Sequence, residues 1–541
     1  MKKTICLILA LVLCIGLLAA CGDKKTEDNN PPVDPKPTEK VNTAGSSTED
    51  FQATPPPAEA KYAETLTYML DDKVALVDPF NAGSVCPQMG YPYHLIYDTL
   101  INYTLQGTYE PCLATEWEPN EDYTVFKFKL RDDVVFHNGE KFTSDDVKFT
   151  IERGWTDDAL GAPVYDVASK IDHVDCPSDY ELVITLKESN YDFFYDCTNI
   201  VKFPICNREA VEADPTGWGP MIGTGPFVMK EFVSSESFTC TRNDDYFGEK
   251  PYTETMIFRY IAEETARYLM FDNDEADFVV INSAYIPEYM AKEGVTMTSN
   301  VVNNCGYVSM NCTKAPLDDV NLRLAIAYAI NDEDIVELGF AGYSQTHDTG
   351  ALWGWTSAYK DTSIAKRTQD LDKAQEYLAK SKYNNEKLQI AASMPHTKRI
   401  AAVVQAQLTA IGINCEVYEC DGPTLTAQTM WGSNDLDMVV NSMMFSPLAD
   451  SVRLAVTENN SNKANWINEE AKELALQAAV TPDGPEREAM YHRIQELMYE
   501  EVPYITTTHN VLYTATHEGT GGVLYFASAY NDASMAYRIV E

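Results

Sequence analysis

Tyr123-Thr124-Val125-Phe126-Lys127-Phe128-Lys129-Leu130, followed by Val135-Phe136-His137-Asn138-Gly139 and Thr143-Ser144-Asp145-Asp146-Val147, is the stretch from which the rest of this 541-residue chain is read. Its first eight residues alternate, with Thr124, Phe126, Phe128 and Leu130 on one side and Tyr123, Val125, Lys127 and Lys129 on the other. That period of two predicts a half-buried strand. His137-Asn138-Gly139 has the composition of a turn, and Thr143-Ser144-Asp145-Asp146 that of a helix cap ahead of Val147, Phe149 and Ile151. His137 reads as a satisfied polar core or turn residue rather than a metal ligand.

Working outward, residues 64–77 alternate until Asp78-Pro79-Phe80-Asn81 breaks the run, and residues 181–186 form another strand. Gly223-Thr224-Gly225-Pro226 opens a strand over 227–230, its glycines permitting backbone bends. Asp318 or Asp319 caps a helix with Leu322, Ile326 and Ala329 on one face. Residues 370–380 and 399–411 read as amphipathic helices, the second closed by Gly412 before a strand over 413–418. A long helix over 486–500 stops at Pro503. Strands and helices mix without a strict βαβ rhythm and without an internal repeat, which predicts an α/β or α+β body of two or three lobes.

The amino terminus differs in kind. Lys2 and Lys3 precede an apolar run over 5–20 that ends Leu18-Ala19-Ala20-Cys21. The run is short for a membrane span and has the layout of an exported lipoprotein precursor, so residues 1–20 are expected to be removed and Cys21 to carry the lipid; an uncleaved signal anchor is the alternative. Residues 21–60, rich in Pro, Asn, Thr and charge, read as a disordered tether with a reach of about 35 Å. The formal charge of −41 disfavours nucleic acid and polybasic membrane docking as partners. Of thirteen cysteines, Cys6 and Cys14 leave with the leader and Cys21 takes the lipid; the remaining ten show no Cys-x-x-Cys pair and are expected to be mostly buried free thiols. The eight histidines are scattered with no pair at helical metal spacing, so no metal site and no cofactor are expected.

Glu116-Trp117, the opening stretch, Gly223-Thr224-Gly225-Pro226-Phe227, Arg242-Asn243-Asp244-Asp245-Tyr246-Phe247-Gly248, Arg323 with Ala329-Ile330-Asn331, and Arg487-Tyr491-Gln495 before Val502-Pro503 together resemble the family 5 extracellular solute-binding proteins, the oligopeptide, dipeptide and nickel receptors of ABC importers. The resemblance spans nearly the whole folded body in order. It implies a bilobal, periplasmic-binding-protein-like α/β clamp of class II with an extra subdomain, closing on solute by hinge motion. By analogy, 61–91, 216–302 and 506–541 form lobe I, 92–215 the inserted subdomain and 303–505 lobe II, with crossings at 305–311 and 504–510. It further implies a monomeric receptor that works with permease subunits at the outer face of the cell membrane and catalyses nothing.

Peptide-binding relatives carry Gly-Trp-x-x-Asp after the strand written here Leu436-Asp437-Met438-Val439-Val440, and that Asp holds the ligand ammonium. This chain has Ser442-Met443-Met444-Phe445-Ser446, with Met443 for the Trp, Ser446 for the Asp, and Asp450 four residues on. A buried carboxylate prefers free amino termini, a preference a serine cannot supply. Ile505-Thr506-Thr507-Thr508-His509 stands where relatives have tyrosines, and its small hydroxyls would widen a cleft. Candidate ligand contacts are therefore Ser442, Phe445, Ser446, Asp450 and Thr506. Ser84 and Val85 join them as a loop that touches ligand in relatives or as an ordinary loop. Trp353, Trp355 and Trp431 either line the cleft or pack the core. The cargo is read as a peptide first, with a sugar or other small solute as the alternative, and a sensing role stands beside import. Ser363-Ile364-Ala365-Lys366 gives a lone Ser-x-x-Lys without the companion Lys-Thr-Gly, which argues against an acyl-transfer enzyme.

Overall fold

Phe126, Phe128 and Leu130 are buried as the alternation requires, while Lys127 and Lys129 face solvent and reach Glu118 and Glu116. In the computed structural model, which describes residues 41–44, 60–75, 77–81, 90–104, 108–156, 163–353, 358–444, 451–523 and 532–540, this strand is Val125–Leu130. It begins two residues later than the alternation suggests, because Tyr123 has φ of 51° and belongs to the preceding turn. It lies inside an antiparallel sheet ordered Ala114–Pro119, Val125–Leu130, Glu181–Leu186, Ile171–Ser178. Helix Ser144–Gly154 covers that sheet, and its start is fixed by a reciprocal cap in which the Thr143 N–H donates to Asp146 Oδ2 at 3.0 Å. Val147 and Ile151 from the helix join Phe126 and Phe128 in one core.

The turn at 137–139 ties this subdomain to the rest of the chain. Gly139 has φ of 89°, open to glycine at no steric cost. His137 donates its backbone N–H to Gly223 O and sets Nε2 2.9 Å from Gly225 O. Burial pushes its pKa down to about 4, so it is a neutral structural histidine. A Cβ on Gly223 would sit 2.1 Å from Ile96 O, so the Gly-Thr-Gly-Pro stretch works by letting two backbones touch.

The largest sheet has twelve strands among the described residues, ten of them in the order Phe227–Val233, Ser237–Arg242, Thr255–Tyr260, Thr65–Leu70, Phe278–Val280, Tyr504–His517, Val295–Met310, Met438–Met444, Leu388–Ala392, Cys415–Glu419, with Val41–Ala44 and Gln345–Thr346 paired off that path. The first five pack around Leu66, Tyr68, Phe238 and Phe258, and the last three around Ile390, Val440, Leu322 and Val404. Only Val295–Met310 and Tyr504–His517 are long enough to serve both halves. The chain is thus an α/β bilobal clamp with an added four-stranded subdomain.

Helices of the second half follow their caps. Asp319, rather than Asp318, accepts from Asn321 N to start Val320–Ala329, and Asp370 accepts from Lys373 N to start Leu371–Lys380. The next helix, Pro395–Ala410, begins four residues before the expected Arg399, because Pro395 suits a first turn and the Met394 N–H is held by Thr397 Oγ1. Helix Pro485–Glu501 ends where Val502 adopts φ of 50° ahead of Pro503.

One expectation changes. Val41–Ala44, inside the stretch read as disordered tether, pairs in parallel with Met297–Asn300, since a short Val- and Thr-bearing run can add to an open strand edge. Apart from Ala60, the rest of 21–60, with Cys21 and the leader, lies outside the described residues. Among the described residues nine cysteines are free, six of them buried, and no helix is long and apolar enough to cross a membrane.

Candidate functional site

The two crossing strands form the site's floor. Their ladder runs regularly from Val295↔His517 to Val301↔Val511 and from Tyr307↔Thr506 to Ser309↔Tyr504, but slips on either side of Cys305. Two such irregularities are where a sheet bends most easily. Gly306 sits there because a Cβ would lie 3.0 Å from both Thr507 Oγ1 and Thr508 O.

Polar side chains collect at this bend. Ser442 pairs with Gly306 from the neighbouring strand and takes a 3.2 Å hydrogen bond from Asn304 Nδ2. Thr506, opposite Tyr307, donates to Thr349 O at 2.9 Å. Thr507 and Thr508 are fully buried, yet their hydroxyls meet no partner among the described residues, and neither does Asn304 Oδ1. An unmet buried hydroxyl costs about 1–3 kcal/mol, so three unmet groups at one bend mark a place where stability yields to something else.

Charge is arranged in pairs beside the second crossing. Lys366 donates to Thr507 O and pairs with Asp332, whose carboxyl is pushed up to about 6 by burial despite that lysine. Lys360 pairs with Asp348, whose carboxyl burial pushes up but which Lys360 and the neighbouring imidazoles together hold below the usual range. His347 and His509 lie against each other with ring centroids 4.4 Å apart and planes tilted by 32°. Gln345–Thr346 pairs with His509 and Thr508, and His347 N donates to Thr507 O, so the loop after it is stitched to the crossing strand. Cavities near the sheet include one of about 20 Å³ beside Asp332, Lys366 and Thr506 and one of about 470 Å³ beside Asp274, Asp277 and Arg538. The larger lies past the far end of the second crossing strand, and its Arg538 is engaged by both aspartates, so it is a structural ion cluster.

Of the candidate contacts read from the sequence, Ser442 and Thr506 flank the first crossing strand, opposite Gly306 and Tyr307 on its two neighbours. Trp353 does not open onto a cleft. It is completely buried, its indole N–H bonded to Ala358 O and its ring edge-on to Tyr491, because the surrounding core of Leu352, Ile494 and Met498 needs its bulk. Trp431 is half-buried in a turn held by Asn460. Ser84, Val85, Trp355, Phe445, Ser446 and Asp450 lie outside the described residues. Asn304, His347, Asp348 and Lys366 belong to the site, and sequence reasoning passes over them: no spacing links residues that far apart.

A two-lobed clamp with buried polar groups gathered on the strands that join its halves is the organisation of a solute receptor. Residues 108–465 match the bacterial extracellular solute-binding proteins, family 5 middle, and the chain belongs to that family. Proteins of this family capture solute outside the cytoplasm and are not enzymes. The chain is 24% identical to the nickel-binding periplasmic protein of Escherichia coli (strain K12) over 84% of its length and 92% of the relative's, and 24% identical to the dipeptide-binding protein of the same organism over 85% and 92%. It superposes on the dipeptide binding protein from Pseudoalteromonas sp. SM9913 in complex with Met-Leu with a TM-score of 0.78 at 20% identity, covering 88% of this chain and all of that one.

Proposed function

We propose that this protein is the lipid-anchored receptor of an ABC importer, that it captures an oligopeptide between its lobes, and that it delivers the cargo to permease subunits as a monomer. The observation that carries the capture step is the pair of crossing strands that slip register on either side of Cys305, with Ser442 opposite Gly306 and Thr506 opposite Tyr307. The lobe limits proposed are those of the sequence reading: 61–91, 216–302 and 506–541 for lobe I, 92–215 for the inserted subdomain, 303–505 for lobe II. The anchor rests on Leu18-Ala19-Ala20-Cys21. Support for peptide cargo comes from the dipeptide-binding relative and from the peptide-bearing structural neighbour.

A second reading, a non-peptide solute, is favoured by one observation: Ser446 stands where peptide-binding relatives place the ammonium-anchoring Asp. Mass spectrometry of whatever is released from the purified protein on denaturation separates the two. A ladder of peptides with mixed side chains supports the first reading. A single non-peptide mass replaces it with the second.

A further inference from the structure

Folding brings His347, Asp348 and His509 to one point. One ring nitrogen from each histidine and a carboxylate oxygen lie within 4.8 Å of one another, His347 Nδ1 being 4.0 Å and His509 Nε2 3.8 Å from Asp348 Oδ1. Both imidazoles are almost fully buried. Their tautomers are set by what lies behind them. His347 Nε2 is 2.8 Å from Trp353 O, an oxygen that can only accept, so that nitrogen carries the proton and Nδ1 carries the lone pair. His509 Nδ1 faces Asn304 O at 3.3 Å in the same way and turns Nε2 toward Asp348. An imidazole whose far N–H is given to a backbone carbonyl is the usual support for a metal-ligating histidine. Lys360 binds the other carboxylate oxygen, Oδ2, and so leaves Oδ1 to the two rings. His347 Nδ1 also lies 3.2 Å from both the backbone N–H and the carbonyl oxygen of Thr349, contacts an ion would displace.

We propose that His347 Nδ1, Asp348 Oδ1 and His509 Nε2 bind one divalent transition-metal ion of the zinc class, clasping the loop after Gln345–Thr346 to the second crossing strand. Two imidazoles and one carboxylate suit zinc, nickel or cobalt over magnesium or calcium, which take oxygen ligands. Bonds of about 2.0–2.2 Å set tetrahedral ligand atoms about 3.3 Å apart, so the three groups close in by about 0.5–1.5 Å on loading. Asp348 stands on an exposed loop that can make that movement. The ion is a resident of the hinge and is independent of what the cleft carries.

The test is calorimetric titration of the metal-stripped full-length protein with zinc chloride, with cobalt chloride as a coloured probe, in wild type and in His509→Gln and Asp348→Asn, whose folding is checked by circular dichroism. The expected result is one equivalent bound, visible cobalt d–d absorption, no heat with magnesium, and a loss of affinity of about 10–100-fold or more in each variant. Absence of a stoichiometric site in wild type, or a site of unchanged affinity in both folded variants, overturns the proposal. His347→Gln serves as a third variant, read only if its melting profile matches wild type, because its Nε2 also holds Trp353 O.

Discussion

Replacing Arg487 by Met should cost about 3–5 kcal/mol of unfolding free energy, because it strands a buried carboxylate. Arg487 on helix Pro485–Glu501 binds Asp192, which precedes helix Phe193–Asp196; their side chains are only 4% and 12% exposed. The pair joins the proposed inserted subdomain to proposed lobe II across 295 residues of chain. Met matches the length of the arginine stem, so little packing is lost and the penalty is the desolvated charge left on Asp192. Asp192→Asn strands the cation instead, but Arg487 stays 5.7 Å from the ring centroids of both Tyr359 and Tyr491. At about 0.5–1 kcal/mol per ring, that refuge lowers the cost to about 2–4 kcal/mol. The double variant removes both charges and should recover about 1–3 kcal/mol relative to the sum. Equilibrium denaturation followed by circular dichroism measures all four corners of the cycle, with the slope compared between variants to detect a change in the unfolding unit. A loss below about 1 kcal/mol for Arg487→Met, or single costs that add within about 0.5 kcal/mol, refutes the argument.

Gly306→Val should destabilise by about 1–3 kcal/mol and impair ligand uptake, since its Cβ meets Thr507 and Thr508 at 3.0 Å; thermal melts with and without cargo would show an unchanged profile if the bend has room to spare. Thr507→Val should stabilise the cargo-free protein by about 1 kcal/mol by removing an unmet buried hydroxyl, and a net loss would mean that the hydroxyl has a partner such as water. Asp332, with its folded pKa raised to about 6, binds more protons folded than unfolded between about pH 4 and 6. Its contribution is therefore full below about pH 4 and lost as pH rises through 6, by up to about 3 kcal/mol. Asp332→Asn should flatten that part of the stability profile, and an unaltered slope would count against the assignment. Cys21→Ala should move the protein from the membrane fraction to the soluble one without changing cargo affinity; continued membrane retention speaks against the lipid anchor.

Local features of this chain were written in local sequence. The strand Val125–Leu130 shows its faces through alternation, helix Ser144–Gly154 its start through Thr143 and Asp146, and the ordered string of motifs its family, because each depends on neighbours a few residues apart. Tyr123 shows the limit even there: its side chain fits the alternation while its backbone leaves the strand. Trp353 lay equally open to cleft and core from sequence, since burial depends on Tyr491 and Ile494, which arrive from a distant helix. The same holds for the hinge. The sequence by itself determined, through its ordered motifs, that a two-lobed solute receptor would form. Only the tertiary structure decided that Gly306 would press on Thr507, that Lys366 would reach Asp332, and that two scattered histidines would converge on Asp348. Such contacts are made by long-range strand pairing, and no periodicity along the chain encodes which distant side chains a register will place side by side.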